Sequence, residues 1–213
     1  MKKIIKTSAN LLTVLRIILV FFMLPSIFFL RSKVPEISNT FIIIFFIASI
    51  TDVLDGYIAK KITKKTVFGK FFDPIADKLL IIISLLYIFL LCDKHILIPE
   101  NTNHFNKRLK NLVLGVLIVA IIRDFLIMGV RLMAFEKNKI IAASFLGKIK
   151  TIFTFISVLL ALLARYIIEK THIDSELLFY ILICLFIIDI ILIIFSGIHY
   201  IIKNFKLIQN NFY

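Results

Sequence analysis

The sequence has no tryptophan, two cysteines, and half as many acids as bases, with thirteen Asp and Glu against twenty-six Lys and Arg. Cys92 and Cys184 lie far apart and belong to no ligand motif, so neither a disulfide framework nor a cysteine metal site is implied. No stretch alternates as a β-strand does, and there is no long polar block, repeat or low-complexity tail. What is present is apolar: 61% of the 213 residues are hydrophobic and the mean hydropathy is +1.02. That composition excludes an ordinary soluble domain and indicates an integral membrane protein. With tryptophan absent and 22 phenylalanines, Phe and Leu are left to cover the lipid face.

A net charge of +13 on a soluble protein would suggest nucleic acid. Here the bases gather at the ends of apolar runs, where they set topology and meet anionic lipid. No exposed domain is available to carry a polynucleotide, so nucleic acid is not an expected partner and membrane lipid is.

Six apolar segments stand near the roughly 20 residues that a bilayer core requires. They are drawn at about 10–30, 39–59, 71–91, 111–134, 146–167 and 176–202. The first apolar run, Leu11 to Leu30, is too long for a signal peptide core and lacks a small-residue cleavage site, so a retained helix is expected. The connection from Asp93 to Lys110 is expected to be the longest loop. With the N-terminus in the cytoplasm, fourteen loop bases fall inside and eight outside. The expected fold is therefore all-α: one polytopic membrane domain over residues 1–213, six transmembrane helices, both termini cytoplasmic. The expected location is the inner (cytoplasmic) membrane.

Against this background the stretch from Thr51 to Lys78 stands out, because it holds four carboxylates in two pairs. Asp52, Asp55, Gly56 and Ala59 lie at i, i+3, i+4 and i+7, one stripe of a helix. Gly69, Asp73 and Asp77 form a second stripe at i, i+4 and i+8. Two helices joined by a tight turn can aim all four acids into one cavity. Unneutralised, they would repel strongly at low dielectric. A hard divalent ion, Mg²⁺ or Mn²⁺, removes that repulsion and prefers carboxylate oxygen. The bland alternative for Asp73 alone is a helix N-cap before Pro74. It accounts for neither Asp77 nor the Asp52 and Asp55 pair.

Other charges interrupt the apolar segments. Asn10, Thr13 and Arg16 share the start of segment one, where Arg16 either snorkels to the interface or faces a polar interior. Segment four carries Arg123, Asp124 and Arg131. Arg123 and Asp124 are adjacent, point about 100° apart on a helix and need not pair. Lys148 and Lys150 open segment five. Acids, metals and several bases together suit an anionic, phosphate-bearing substrate. Asp189 stands alone in segment six, where a polar interhelical contact suffices to explain it.

The run from Asp52 to Lys60, then eight residues, then Gly69, Asp73 and Asp77, resembles the signature DxxDGxxAR, eight residues, GxxxDxxxD of the CDP-alcohol phosphatidyltransferase family. Lys60 replaces the usual Arg, and the two are not equivalent at a bidentate phosphate site. NLLTVLRIILV, FFDPIADKLL, IIRDFLIMGVRLMAF and SFLGKIKT are similar to a bacterial subgroup whose acceptor is glycerol 3-phosphate. The resemblance implies six transmembrane helices, a homodimer, and an active site open to the cytoplasm. It implies CDP-diacylglycerol and glycerol 3-phosphate as substrates, with CMP released. Two divalent ions would sit on Asp52, Asp55, Asp73 and Asp77, and Asp77 would also serve as general base. Thr13, Gly56, Ala59, Lys60 and Gly69 would line the nucleotide pocket. Arg123, Arg131 and Lys148 would bind the acceptor phosphate, with Lys150 ranked behind them. The alternatives are another acceptor in the same family (inositol phosphate, serine or phosphatidylglycerol) and, outside enzymes, a cation transporter. Against the transporter, the acids lie at the ends of two adjacent helices beside a lysine-rich turn.

Overall fold

A computed structural model describes residues 2–28, 39–51, 67–94, 97, 103–136, 145–171 and 173–205, with backbone alone over 2–10, 12, 67–74, 103, 132, 135 and 136. All regular structure among the described residues is helical. The helices are α1 (Lys2–Phe28), α2 (Asn39–Thr51), α3 (Val67–Asp93), α4 (Asn103–Glu136), α5 (Phe145–Thr171) and α6 (Ser175–Lys203). Four are long and apolar enough to cross a membrane, over Ile75–Asp93, His104–Arg131, Phe145–Thr171 and Ser175–Lys203. Thr13–Phe28 and Asn39–Thr51 are shorter apolar helices. The chain is a multi-pass membrane protein, and its described residues form the expected six helices. It divides into two compact units, Met1–Tyr87 and Ile88–Tyr213.

In the first unit, α1 inverts the pattern of a soluble helix. Thr13, Arg16, Val20 and Met23 are buried at helical spacing, while Leu15, Ile18, Phe21 and Phe22 face outward. Lipid solvates those apolar side chains, so the polar ones go inside. The small hydroxyls are satisfied locally. Ser49 donates to the Phe45 carbonyl at 2.6 Å, Thr51 to that of Ala48 at 2.6 Å, and Ser84 to that of Leu80 at 2.8 Å. Such back-bonding lets a hydroxyl sit in an apolar helix without an orphaned donor. Phe41 of α2 stacks on Tyr87 of α3, centroids 3.8 Å apart.

In the second unit, α6 packs against both α4 and α5. Its buried stripe is apolar through Leu178, Leu182 and Phe186 and turns polar at Asp189, Ser196 and Tyr200. Asp174 caps the helix, its carboxylate accepting from the Glu176 backbone N–H at 3.1 Å.

Two boundaries differ from the sequence expectation. α4 begins at Asn103, so residues 103–110 form its first turns and not part of a long loop. The stretch looks polar, but Asn106, Leu109 and Val113 make a buried stripe at i, i+3 and i+7. Phe105 adds a ring stacked on Phe179, centroids 4.2 Å apart. α3 begins at Val67, six residues before Asp73, so Asp73 lies inside the helix and not at its N-cap position.

Candidate functional site

The first unit brings together one long-range pair from the sequence reading. Arg16 of α1 is fully buried, and its guanidinium Nη1 donates to Asp77 Oδ1 of α3 at 2.5 Å. Arg16 therefore faces the protein interior and does not snorkel. Thr13, three residues before it on the same stripe, is also buried, at 1% exposure. The Asp77 side chain is 46% exposed, so the pair joins a sequestered cation to an accessible carboxylate.

Asp73 lies one turn before Asp77 on α3, and Gly69 one turn earlier again, on the face the spacing predicts. Asp52, Asp55, Gly56, Ala59 and Lys60 lie outside the described residues. Among the described residues no three metal-ligating side chains are gathered. Asp77 is the one of the four acids whose side chain is described, and its accessible carboxylate suits a hard divalent cation. Arg16 at Asp77 adds a fixed positive charge beside that edge.

The second unit holds the bases. Arg123 and Asp124 do pair, with Nη1 donating to Oδ1 at 2.7 Å. Their Cα–Cβ vectors diverge, but the long arginine stem reaches back across the gap. Arg123 Nη2 also donates to Ser196 Oγ of α6 at 3.3 Å. Arg131 donates from Nε to the Tyr200 hydroxyl at 3.3 Å, and its guanidinium carbon lies 5.9 Å from the centre of that ring. Lys150, ranked last in the sequence reading, is buried at 6% exposure and stands 4.0 Å from Asp124 Oδ1. Lys148 is exposed. Asp189 is fully buried and accepts from the Thr154 hydroxyl of α5 at 2.7 Å, an interhelical contact as its bland explanation required.

Sequence reasoning missed Ser196, Gly197, Tyr200 and Thr154. Single hydroxyls and a glycine in an apolar helix carry little signal. The clue was positional: Asp189, Ser196 and Tyr200 repeat at helical spacing, so one face of segment six is polar.

Residues 6–200 match the CDP-alcohol phosphatidyltransferase family, and the chain belongs to that family. Its relatives include proteins named CDP-diacylglycerol–glycerol-3-phosphate 3-phosphatidyltransferase. That of Mycoplasma genitalium is 35% identical over 170 residues, 72% of this chain and 63% of the relative. That of Bacillus subtilis is 39% identical over 109 residues, 51% of this chain and 47% of the relative. That of Salmonella choleraesuis is 31% identical over 144 residues, 67% of this chain and 69% of the relative. The chain thus spans from about half to two thirds of the length of these relatives.

Proposed function

We propose that this protein transfers the phosphatidyl group of CDP-diacylglycerol to glycerol 3-phosphate, giving phosphatidylglycerophosphate and CMP. The observation that carries the reading is the acid pattern from Asp52 to Asp77 in a chain whose named relatives bear that activity. The paired bases Arg123 and Arg131 support a phosphorylated acceptor over serine, which has no phosphate to bind.

In this reading the acceptor hydroxyl oxygen attacks the phosphorus that carries diacylglycerol. The bond from that phosphorus to the bridging oxygen breaks, and CMP leaves with the oxygen and the electron pair. The hydroxyl proton goes to Asp77, whose accessible carboxylate suits a general base. Arg16, bonded to that carboxylate, fixes its direction. Asp52, Asp55, Asp73 and Asp77 would hold two divalent ions, Mg²⁺ or Mn²⁺. Such ions, when bound, neutralise the pyrophosphate charge and stabilise the leaving CMP. Thr13, Gly56, Ala59, Lys60 and Gly69 bind the nucleotide, the glycines by letting it approach the backbone. Arg123, Arg131 and Lys148 take the acceptor phosphate, and Lys150, held towards Asp124, joins them. Both termini and the acid-rich turn face the cytoplasm, in the inner membrane, and the protein works as a homodimer in one domain over residues 1–213.

The test is CMP release from CDP-diacylglycerol by the purified protein in detergent, with Mg²⁺ or chelator, across a panel of acceptors. Turnover with glycerol 3-phosphate alone is the expected result. Turnover only with another alcohol would discard the acceptor assignment and keep the acid site. No metal-dependent CMP from any acceptor would overturn the reading.

A further inference from the structure

The last turns of α6 carry three residues that touch the arginines of α4 and have no assigned role. Ser196 is 1% exposed, and its hydroxyl donates to the Ile193 carbonyl at 3.0 Å. With its proton committed there, its oxygen is left to accept from Arg123 Nη2 at 3.3 Å. Gly197 follows at once. A Cβ on Gly197 would stand 3.0 Å from Arg123 Cγ and 4.0 Å from Arg123 Cβ, so the arginine stem fills the space a side chain would need. Tyr200, one turn on from Ser196, is 2% exposed and packs with Ile127 and Val130. Its ring is fixed by that packing, and its hydroxyl accepts from Arg131 Nε.

A base near the end of a membrane helix ordinarily snorkels to the interface and stays mobile. These two arginines are instead tied to fixed groups on a neighbouring helix. Arg123 is held at three points: the Asp124 carboxylate, the Ser196 oxygen and the gap over Gly197. Arg123 Nε is buried with no acceptor among the described residues, a cost that a freely placed side chain would avoid. The contacts limit the directions in which the guanidinium forks can present their remaining N–H groups, which is what bidentate phosphate recognition needs.

We infer that Ser196, Gly197 and Tyr200 form a cradle on α6 that positions Arg123 and Arg131 for the acceptor phosphate. They are positioning residues and need not touch substrate. The inference rests on the acceptor role proposed for the two arginines.

The experiment is steady-state kinetics on Gly197→Ala, Ser196→Ala, Ser196→Thr and Tyr200→Phe, alone and, for Gly197→Ala, in an Arg123→Ala background. Gly197→Ala should raise the KM for glycerol 3-phosphate about fivefold or more, the effect of losing one well-placed hydrogen bond, and leave the KM for CDP-diacylglycerol within about twofold. Ser196→Ala and Tyr200→Phe should act in the same direction, and Ser196→Thr, which keeps the hydroxyl, should restore the acceptor KM. In the Arg123→Ala background, which has no Cγ, Gly197→Ala should change nothing further. Equal effects on both KM values, or a Gly197→Ala effect that persists without Arg123, would mean general packing and overturn the cradle. An Arg123→Ala effect on the acceptor KM with none from Gly197→Ala overturns the cradle alone. An acceptor KM unmoved by Arg123→Ala overturns the acceptor reading and the cradle with it.

Discussion

The Arg16–Asp77 pair is asymmetric, and that makes its energetics testable. Arg16 is 0% exposed, whereas the Asp77 side chain keeps 46% of its surface. Removing the carboxylate takes a close counter-charge from a buried cation, which costs about 3–5 kcal/mol in comparable sites. Removing the cation leaves a carboxylate that water can reach, for which exposed pairs give at most about 1 kcal/mol. Asp77→Leu should therefore be less stable than Arg16→Met by about 2 kcal/mol or more. For a chain of this size that is roughly 4–8 °C in melting temperature. The double variant should recover much of the loss, because replacing both partners strands neither charge. Tryptophan fluorescence cannot report unfolding here, since the chain has none. A thiol-reactive dye can: Cys92 is buried and labels on unfolding, while Cys184 is exposed and sets the baseline. If Arg16→Met melts at or below Asp77→Leu, the buried cation is not the sequestered partner and the role given to Arg16 fails.

Further predictions concern function and the second unit. Asp73→Asn should abolish CMP release while the protein still inserts and melts cooperatively; retained turnover would remove Asp73 from the metal set. Arg123→Ala should raise the KM for glycerol 3-phosphate much more than that for CDP-diacylglycerol, and parallel rises would move the acceptor phosphate elsewhere. Thr154→Val deprives a fully buried carboxylate of its 2.7 Å donor, so thermal melting should register a loss of about 1.5–3 kcal/mol, with Thr154→Ser close to the parent. Chelation of divalent ions should stop CMP release without unfolding the chain; full turnover in chelator would refute the ion sites.

The six helices were legible because hydropathy integrates over many residues, and single errors average out. The ends were less so. The start of α4 was hidden because Asn103–Lys110 is polar on average, and only the spacing of Asn106, Leu109 and Val113 marks it as helix. The acids were legible as a pattern, since four charges at fixed gaps in an apolar chain demand a common cause. Their partners were not. Nothing in the sequence ties Arg16 to Asp77 across 61 positions, because pairing depends on how α1 meets α3. Backbone direction leaves the pairing of Arg123 with Asp124 open, and the length of the arginine stem decides it.

The ranking of the lysines shows what decides function in a membrane helix. Lys148 and Lys150 are two residues apart at the start of α5, and so point to different faces. Composition and charge treat them alike. The structure separates them: Lys150 is buried towards Asp124, and Lys148 is exposed. A charge on the outer face needs no partner within the protein. A charge on the inner face must be matched by something built for it, here Asp124. In an apolar chain, the discriminating feature of a base is therefore the presence of a partner on another helix. By that criterion Arg16, Arg123, Arg131 and Lys150 are all held, each by a group on a different helix. Beyond Asp124, the partners for the second unit's arginines come from α6, the segment with the highest apolar content and the least apparent chemistry. Its two hydroxyls and one glycine are the residues most easily overlooked, and they fix where the positive charge can point.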